Sequence, residues 1–294
     1  MTDNELSPAE IEQSNQQIDA LPPLRALVDS LDMKARKSLG QNFLFDLNLT
    51  RRIARSARPH KGTTIEIGPG PGGLTRAILL EGASDLIAIE KDWRAINVLQ
   101  SLMATAGKRL TLVEDDALNC PIWQMGTTPR SVIANLPYNI ATTLLIKWLE
   151  HASEFTSLTL MFQREVALRI TARPGDSEYG RLSVLASWKA DTEILFDVPA
   201  SAFVPPPKII SSVIQIVPLA KPRFACNQTY LEDVTRHAFG QRRKMLRASL
   251  KRIGGQELLE EANINPEARP QELKIAEFCA LARCLEARDR QKQP

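Results

Sequence analysis

The chain has 294 residues, 44% hydrophobic and 24% charged, an ordinary globular composition that can build one sizeable domain and a smaller appendage. No apolar run reaches the roughly 18 residues that span a bilayer, and the N-terminus carries neither a signal-peptide nor a transit-peptide pattern, so a cytoplasmic location is expected. A formal net charge of +3 hides an imbalance: residues 1–33 carry seven acidic side chains against Arg25 alone, which leaves 36 basic and 27 acidic residues beyond them.

In chain order, residues 1–33 are polar and rich in Gln, Asn and Glu, and read as a flexible acidic extension with one short helix at most. From Lys34 to Arg58 seven Lys and Arg face Asp46 alone, and helical apolar spacing runs from Leu47 to Ala57. Thr63 to Ile67 reads as a buried strand, followed by a Gly/Pro turn and a helix opening near Leu74. Further strands are expected at Asp85–Ile89, Leu110–Val113 and Ser131–Ala134, with helices at Arg94–Leu102 and Thr142–Leu149. Alternation of this kind predicts an α/β fold, a parallel sheet covered by helices. Runs at Leu158–Phe162, Leu182–Trp188 and Ser211–Val217 are expected to extend the sheet. After Pro218 and Pro222 the patterning is helical, broken by Gly254-Gly255, which predicts a small C-terminal all-α domain. The expected organisation is 1–33, 34–218 and 219–294. Cys120, Cys226, Cys279 and Cys284 form no CxxC pair, so isolated thiols are expected, with neither a disulfide framework nor a metal site.

Three features carry chemistry. Gly68, Gly70 and Gly73 satisfy G-x-G-x-x-G between a strand and a helix, where bare glycines let a nucleotide-type ligand approach the backbone. Glu90 ends the next strand, placed to accept from two ribose hydroxyls or else to cap the following helix. Asp115-Asp116 ends the third strand; an acid there can accept an adenine amino group, or simply form a turn. These features suit NAD and S-adenosylmethionine equally.

The tetrapeptide Asn135-Leu136-Pro137-Tyr138 separates them. An exocyclic adenine amine is a poor nucleophile because its lone pair is delocalised into the ring. The Asn135 side-chain carbonyl and the Leu136 main-chain carbonyl can both accept its hydrogens, drawing density onto nitrogen and favouring a pyramidal amine. Pro137 fixes the backbone so that the carbonyls converge, and Tyr138 offers a ring on which the base stacks. Catalysis of this kind rests on positioning and preorganised dipoles, without an activated Ser or Cys or a metal.

Taken with Lys37–Leu44, Tyr179–Ser183, Phe203–Lys208, Ser211–Val213 and Phe239–Lys244, these motifs make the chain resemble the KsgA/RsmA family of small-subunit (16S) rRNA adenine N6,N6-dimethyltransferases. The resemblance implies a Rossmann-like class I methyltransferase sheet and S-adenosyl-L-methionine as cofactor. It also implies dimethylation of two adjacent adenines near the 3′ end of the rRNA, with a role in small-subunit biogenesis. It assigns cofactor binding to Gln41, Asn42, Leu44, Gly68, Gly70, Glu90, Asp116 and Asn135, with Asn42 and Leu44 at the methionine end. It assigns the reacting base to Asn135, Leu136, Pro137 and Tyr138, with Phe203 as a second aromatic sandwiching the flipped adenine. Lys34, Arg36, Lys37, Arg242, Arg243 and Lys244 are expected on rRNA phosphates, and the expected partner is small-subunit rRNA within an immature 30S-type particle, bound by a monomer away from any membrane.

Two other readings start from the same residues. A large-subunit rRNA adenine methyltransferase of the macrolide-resistance type shares the fold and an N-x-P-Y/F motif; Tyr179–Ser183 and Phe239–Lys244 favour the small-subunit assignment. An NAD-dependent oxidoreductase explains the glycines and Glu90 but leaves Asn135–Tyr138 idle.

Overall fold

Residues 6–31, 33–36, 39–57 and 60–292 are described by the structure, a computed structural model. The segment expected to be a flexible extension is instead folded onto the domain wherever it is described. Ser7 opens helix α1 (Pro8–Asp19) with a reciprocal capping box: its hydroxyl accepts from the Glu10 amide, and its own amide donates to the Glu10 carboxylate at 2.7 Å. Ile18 on this helix is wholly buried in the main core. Arg76 holds the end of the helix, donating to the carbonyls of Asp19, Leu21 and Pro22 at 2.9 Å. Helix α2 (Leu24–Ser30) then buries Val28 in a small cluster with Met33, Phe43, Ala95 and Val98. A few well-spaced apolar side chains dock a segment whose average composition is polar.

The next elements are strand β1 (Phe43–Leu44) and helix α3 (Leu47–Ser56), whose first amides donate to the Asp46 side chain. Strand β2 (Thr63–Ile67), helix α4 (Gly73–Leu80), strand β3 (Leu86–Glu90), helix α5 (Trp93–Ala106) and strand β4 (Leu110–Glu114) follow in strict alternation. Strand β5 (Arg130–Asn135), helix α6 (Tyr138–Glu150) and strand β6 (Ser157–Gln163) continue it. β2 and β3 are buried at every position, so neither shows the alternation of a half-exposed strand.

Helices α7 (Arg164–Thr171) and α8 (Arg181–Lys189) come next, then strands β7 (Ala190–Val198), β8 (Phe203–Val204) and β9 (Ser211–Pro218). The run Leu182–Trp188, expected as a strand, is the body of α8. All seven of its residues are buried, so the helix shows no polar face and no 3.6-residue period to betray it. The strand at this point is its neighbour, β7. The seven-stranded sheet has the order β4-β3-β2-β5-β6-β9-β7; the pairs among β2 to β6 are parallel, and β9 lies antiparallel to β6. β1 and β8 form a separate antiparallel ribbon pairing Phe43 with Val204 and Leu44 with Phe203.

The chain divides into two compact units: Met1–Ala167 with Glu193–Pro218, and Leu168–Thr192 with Leu219–Pro294. The second adds helices α9 (Gln228–Gly240), α10 (Leu246–Ser249), α11 (Gly255–Glu261) and α12 (Ile275–Lys292). The first unit's last segment ends at Pro218, and 168–192 belongs to the helical unit, where Tyr179, Val184, Leu185 and Trp188 pack with Leu231, Val234 and Phe278. The first unit is an α/β sheet domain and the second is all-α. All four cysteines are free thiols.

Candidate methyl-transfer site

From β2 the chain moves outward through β3 to β4, then returns to place β5 on the other side of β2. Open α/β sheets bind ligands where the strand order reverses in this way, at the carboxyl ends of the strands. The pocket found there is lined by Gln41–Leu44, Glu66–Gly70, Glu90, Asp116 and Asn135–Tyr138. Every expected cofactor residue is therefore in one place.

The floor is the glycine turn. Gly68 and Gly70 have φ of 65° and 54°, a left-handed backbone that other residues rarely adopt. Gly73 serves close packing: a Cβ there would lie 2.2 Å from the Leu44 carbonyl oxygen, so only glycine lets α4 start against β1.

Glu90 is 6% exposed and accepts three backbone bonds: Gly70 N at 3.0 Å on Oε2, and Lys91 N and Asp92 N at 2.8 Å on Oε1. Burial holds its carboxyl above the ordinary value in spite of those bonds. It therefore both ties the glycine turn to β3 and faces the pocket, while the cap of α5 is Asp92. Asp116 accepts from Leu118 N at 3.0 Å and pairs with Lys91 Nζ at 3.3 Å; the backbone bond foremost keeps its carboxyl below the usual range. Gln41 donates to Asp92 Oδ2 at 2.7 Å and accepts from Arg36 N at 3.0 Å, bracing the loop that carries Asn42.

Glu66 was not singled out from sequence, yet it lines the pocket at 1% exposure with Oε2 unpartnered. Burial pushes its carboxyl up to about 8, the Thr75 hydroxyl works in the other direction, and Glu90 adds to the rise. The available signal was an acid inside an otherwise uncharged strand, Thr63-Thr64-Ile65-Glu66-Ile67. An orphaned acceptor here, Glu90 beside the turn and a glycine floor fit a ligand bearing a cationic group and a ribose. S-adenosylmethionine has both.

Asn135 ends β5, and its Nδ2 donates to the Asn42 carbonyl at 3.2 Å. With the amide nitrogen anchored, Oδ1 is left as a free-standing acceptor at the pocket. Leu136 is buried at 2% and Pro137 caps α6, within 3.8 Å of where a Cβ on Gly68 would stand. Tyr138 opens α6, and its hydroxyl shares a 2.6 Å bond with Ser211 Oγ on β9. Its ring is thus held at both ends. Burial raises the phenol above its ordinary value, Ser211 opposing, so the ring stays neutral at working pH.

Phe203 departs from expectation. At 2% exposure it belongs to the main core, paired with Leu44 in the β1–β8 ribbon, and is absent from the pocket lining; the exposed neighbour in this two-residue strand is Val204, as alternation requires. Its contribution is to back the wall that presents Asn42 to Leu44. Among the expected RNA contacts, Lys34, Arg36, Arg243 and Lys244 are exposed, whereas the Arg242 guanidinium donates to the carbonyl of Ser177 and braces that loop. Lys37 lies outside the described residues.

The sequence profile described as Ribosomal RNA adenine dimethylase matches residues 32–287. The chain belongs to the ribosomal RNA adenine dimethylase family. Within that family's range it is 51% identical to the Ribosomal RNA small subunit methyltransferase A of Sinorhizobium medicae, over 91% of this chain and 99% of that protein. It is 53% identical to the protein of the same name from Rhodospirillum rubrum, over 92% and 94%. A dimethyladenosine transferase from Plasmodium falciparum superposes with a TM-score of 0.71 at 26% identity, over 81% of this chain and 95% of that one. The 23S rRNA methyltransferase ErmE shares the fold, with a TM-score of 0.62 at 24% identity over 83% and 100%. The sheet domain is a class I methyltransferase fold.

Proposed function

We propose that this chain transfers methyl groups from S-adenosylmethionine to the N6 amino groups of two adjacent adenines near the 3′ end of small-subunit rRNA. It does so as a cytoplasmic monomer on an immature 30S-type particle, and so takes part in subunit biogenesis. The observation that carries this is the Asn135 amide, anchored by its nitrogen to Asn42 and free at its oxygen, in the same pocket as Glu90 and the glycine turn. The family membership supports the same reading.

When bound, S-adenosylmethionine supplies an electrophilic methyl group. Glu90 holds the ribose, Asp116 the cofactor's adenine amino group, and Asn42, Leu44 and the Gly68–Gly70 turn the rest, with Glu66 meeting the cationic end. Asn135 Oδ1 and the Leu136 carbonyl accept the two hydrogens of the target amine. Tyr138 stacks on the flipped base, whose removal from its helix is needed before a closed pocket can reach N6. A proton leaves the amine after transfer, toward solvent, since neither the Asn135 amide nor the Leu136 carbonyl is basic enough to keep it. Lys34, Arg36, Arg243 and Lys244 bind rRNA phosphates, Arg242 assisting through the loop it braces. No helix among the described residues is long and apolar enough to cross a membrane.

Calorimetric titration with S-adenosylhomocysteine and with NAD tests the cofactor: binding of the first alone is expected, and binding of NAD alone would restore the oxidoreductase reading. Methyl transfer to immature small subunits, naked rRNA and mature subunits tests the substrate, with the immature particle expected to be the best acceptor.

A further inference from the structure

The turn after β3 holds a buried ion pair, Asp92 with Arg94. Asp92 is 4% exposed, and the Arg94 guanidinium grips it as a fork, Nε donating to Oδ1 at 3.0 Å and Nη2 to Oδ2 at 2.6 Å. The remaining nitrogen, Nη1, donates to the Lys34 carbonyl at 2.9 Å. Burial by itself raises the Asp92 carboxyl, but the bonds from Arg94 and Gln41 outweigh it and hold the group below its ordinary value. Asp92 is therefore a carboxylate in a nearly dry place.

Capping α5 accounts for only half of this arrangement. The cap uses Oδ1, which accepts from the Arg94 amide at 3.2 Å, and a neutral Asn serves a helix cap equally well. Oδ2 instead accepts from Gln41 Nε2 at 2.7 Å, on a distant part of the chain. A buried ion pair adds little net stability over apolar residues; what it supplies is direction. The segment before β1 needs it, because the described residues between α2 and β1 form no α-helix and no strand. Its hold on the sheet falls largely to side chains.

Two ends of the methyl-transfer pocket meet at this carboxylate. Asp92 N donates to Glu90 Oε1 at 2.8 Å, on the proposed ribose acid. Gln41 precedes Asn42, whose carbonyl accepts from Asn135 Nδ2 at 3.2 Å. Neither Asp92 nor Arg94 lines the pocket, so both act through the residues they hold. We propose that Asp92, gripped by Arg94, is a positioning residue for methyl transfer: by holding the Gln41–Asn42 loop to the end of β3, it sets the spacing between Glu90 and the Asn135 amide. The proposal rests on the reading of this pocket as an S-adenosylmethionine site.

Asp92→Asn in the full chain separates this role from the cap. It keeps an oxygen for the Arg94 amide but turns an N–H toward the Gln41 N–H. Gln41 cannot simply turn over, since its Oε1 already accepts from Arg36 N at 3.0 Å. The variant is expected to weaken S-adenosylhomocysteine binding about tenfold, the loss of one charge-assisted hydrogen bond. It should lower kcat about tenfold by misplacing the loop, with KM for small-subunit particles and Tm as in the parent. In the cofactor-free protein, amide exchange should rise at 39–44 and stay unchanged across α5. Gln41→Glu alone is also expected to lose affinity, by facing one carboxylate with another. Joined to Asp92→Asn it restores a donor–acceptor pair of reversed polarity, and the double variant should bind better than either single one. Parent-like affinity and exchange in Asp92→Asn overturn the proposal. So do a loss that Gln41→Glu does not relieve and an exchange rise that runs equally through α5, either of which makes Asp92 a cap and nothing more. A parent protein that binds no S-adenosylhomocysteine and transfers no methyl, with the exchange pattern as expected, sinks the methyltransferase reading while the loop brace itself holds.

Discussion

The role proposed for Asn135 depends on the orientation of one amide. Its nitrogen is committed to the Asn42 carbonyl at 3.2 Å, so its oxygen is the atom offered to a substrate N–H. Asn135→Ala removes that acceptor from a preorganised site and is expected to lower kcat by about 10²–10³-fold. Cofactor affinity should change by only a few-fold; titration with S-adenosylhomocysteine alongside single-turnover transfer separates the two. Tyr138 and Ser211 make a second residue-scale case. If Ser211 exists to aim the ring, Tyr138→Phe and Ser211→Ala each lose the same 2.6 Å bond, about 1 kcal/mol, and the double variant is no worse than either single one. Additive losses in RNA KM would contradict this. Glu66 gives a pH dependence. Its carboxyl keeps its proton up to about pH 8 in the folded chain but only to the ordinary carboxylate value of 4.5 when unfolded. The folded state therefore binds more protons in between, and stability present below the lower value is lost as pH rises through the upper one. Without cofactor, Tm is expected to fall across that window. Glu66→Gln, neutral throughout, should flatten the fall, and an unchanged profile would remove Glu66 as its source.

At the scale of elements, legibility tracked whether polar or Gly/Pro punctuation bounds the element and its residue types suit one kind of structure. α3 and the strands β2 to β6 stood out because polar punctuation bounds them and their burial is simple. α8 was misread because it is buried all round, which leaves composition as the only guide, and Leu, Val and Trp serve strands as well as helices. α1 was underrated for the opposite reason: its signal lay in Ser7-Pro8-Ala9-Glu10, a capping box, rather than in apolar content. What docks α1 was beyond reach of sequence. Arg109, fully buried and 90 or more residues away, donates to Ser14 Oγ, Asn15 Oδ1 and the carbonyls of Leu79 and Ala83. Arg109→Ala would leave those acceptors buried and open a cavity, and is expected to cost about 3 kcal/mol. It should also raise hydrogen exchange in residues 8–19 ahead of the sheet; uniform exchange across the domain would contradict the docking role.

For the whole molecule, the pocket at the strand-order reversal follows from the βαβ alternation, which is why the residues expected to hold the cofactor line one pocket. Four of them stand at or just beyond the carboxyl ends of the sheet's strands, marked in the chain by Gly68, Glu90, Asp116 and Asn135, whereas Gln41, Asn42 and Leu44 come from β1 and the loop before it. Phe203 was not legible, because a two-residue strand gives no alternation from which to tell its inward side from its outward one. Return of 168–192 to the helical unit was hidden likewise, since contacts such as Tyr179 with Phe239 join residues far apart in sequence. The central claim concerns the whole molecule, an adenine amine methylated in small-subunit rRNA. Its most direct test is to incubate the purified protein with labelled S-adenosylmethionine and ribosomal particles, digest the RNA and map the label by mass. The expected result is N6,N6-dimethyladenosine at two adjacent positions near the 3′ end of small-subunit rRNA, abolished by Asn135→Ala. Label confined to large-subunit rRNA, or carried on anything but an adenine amine, would contradict it.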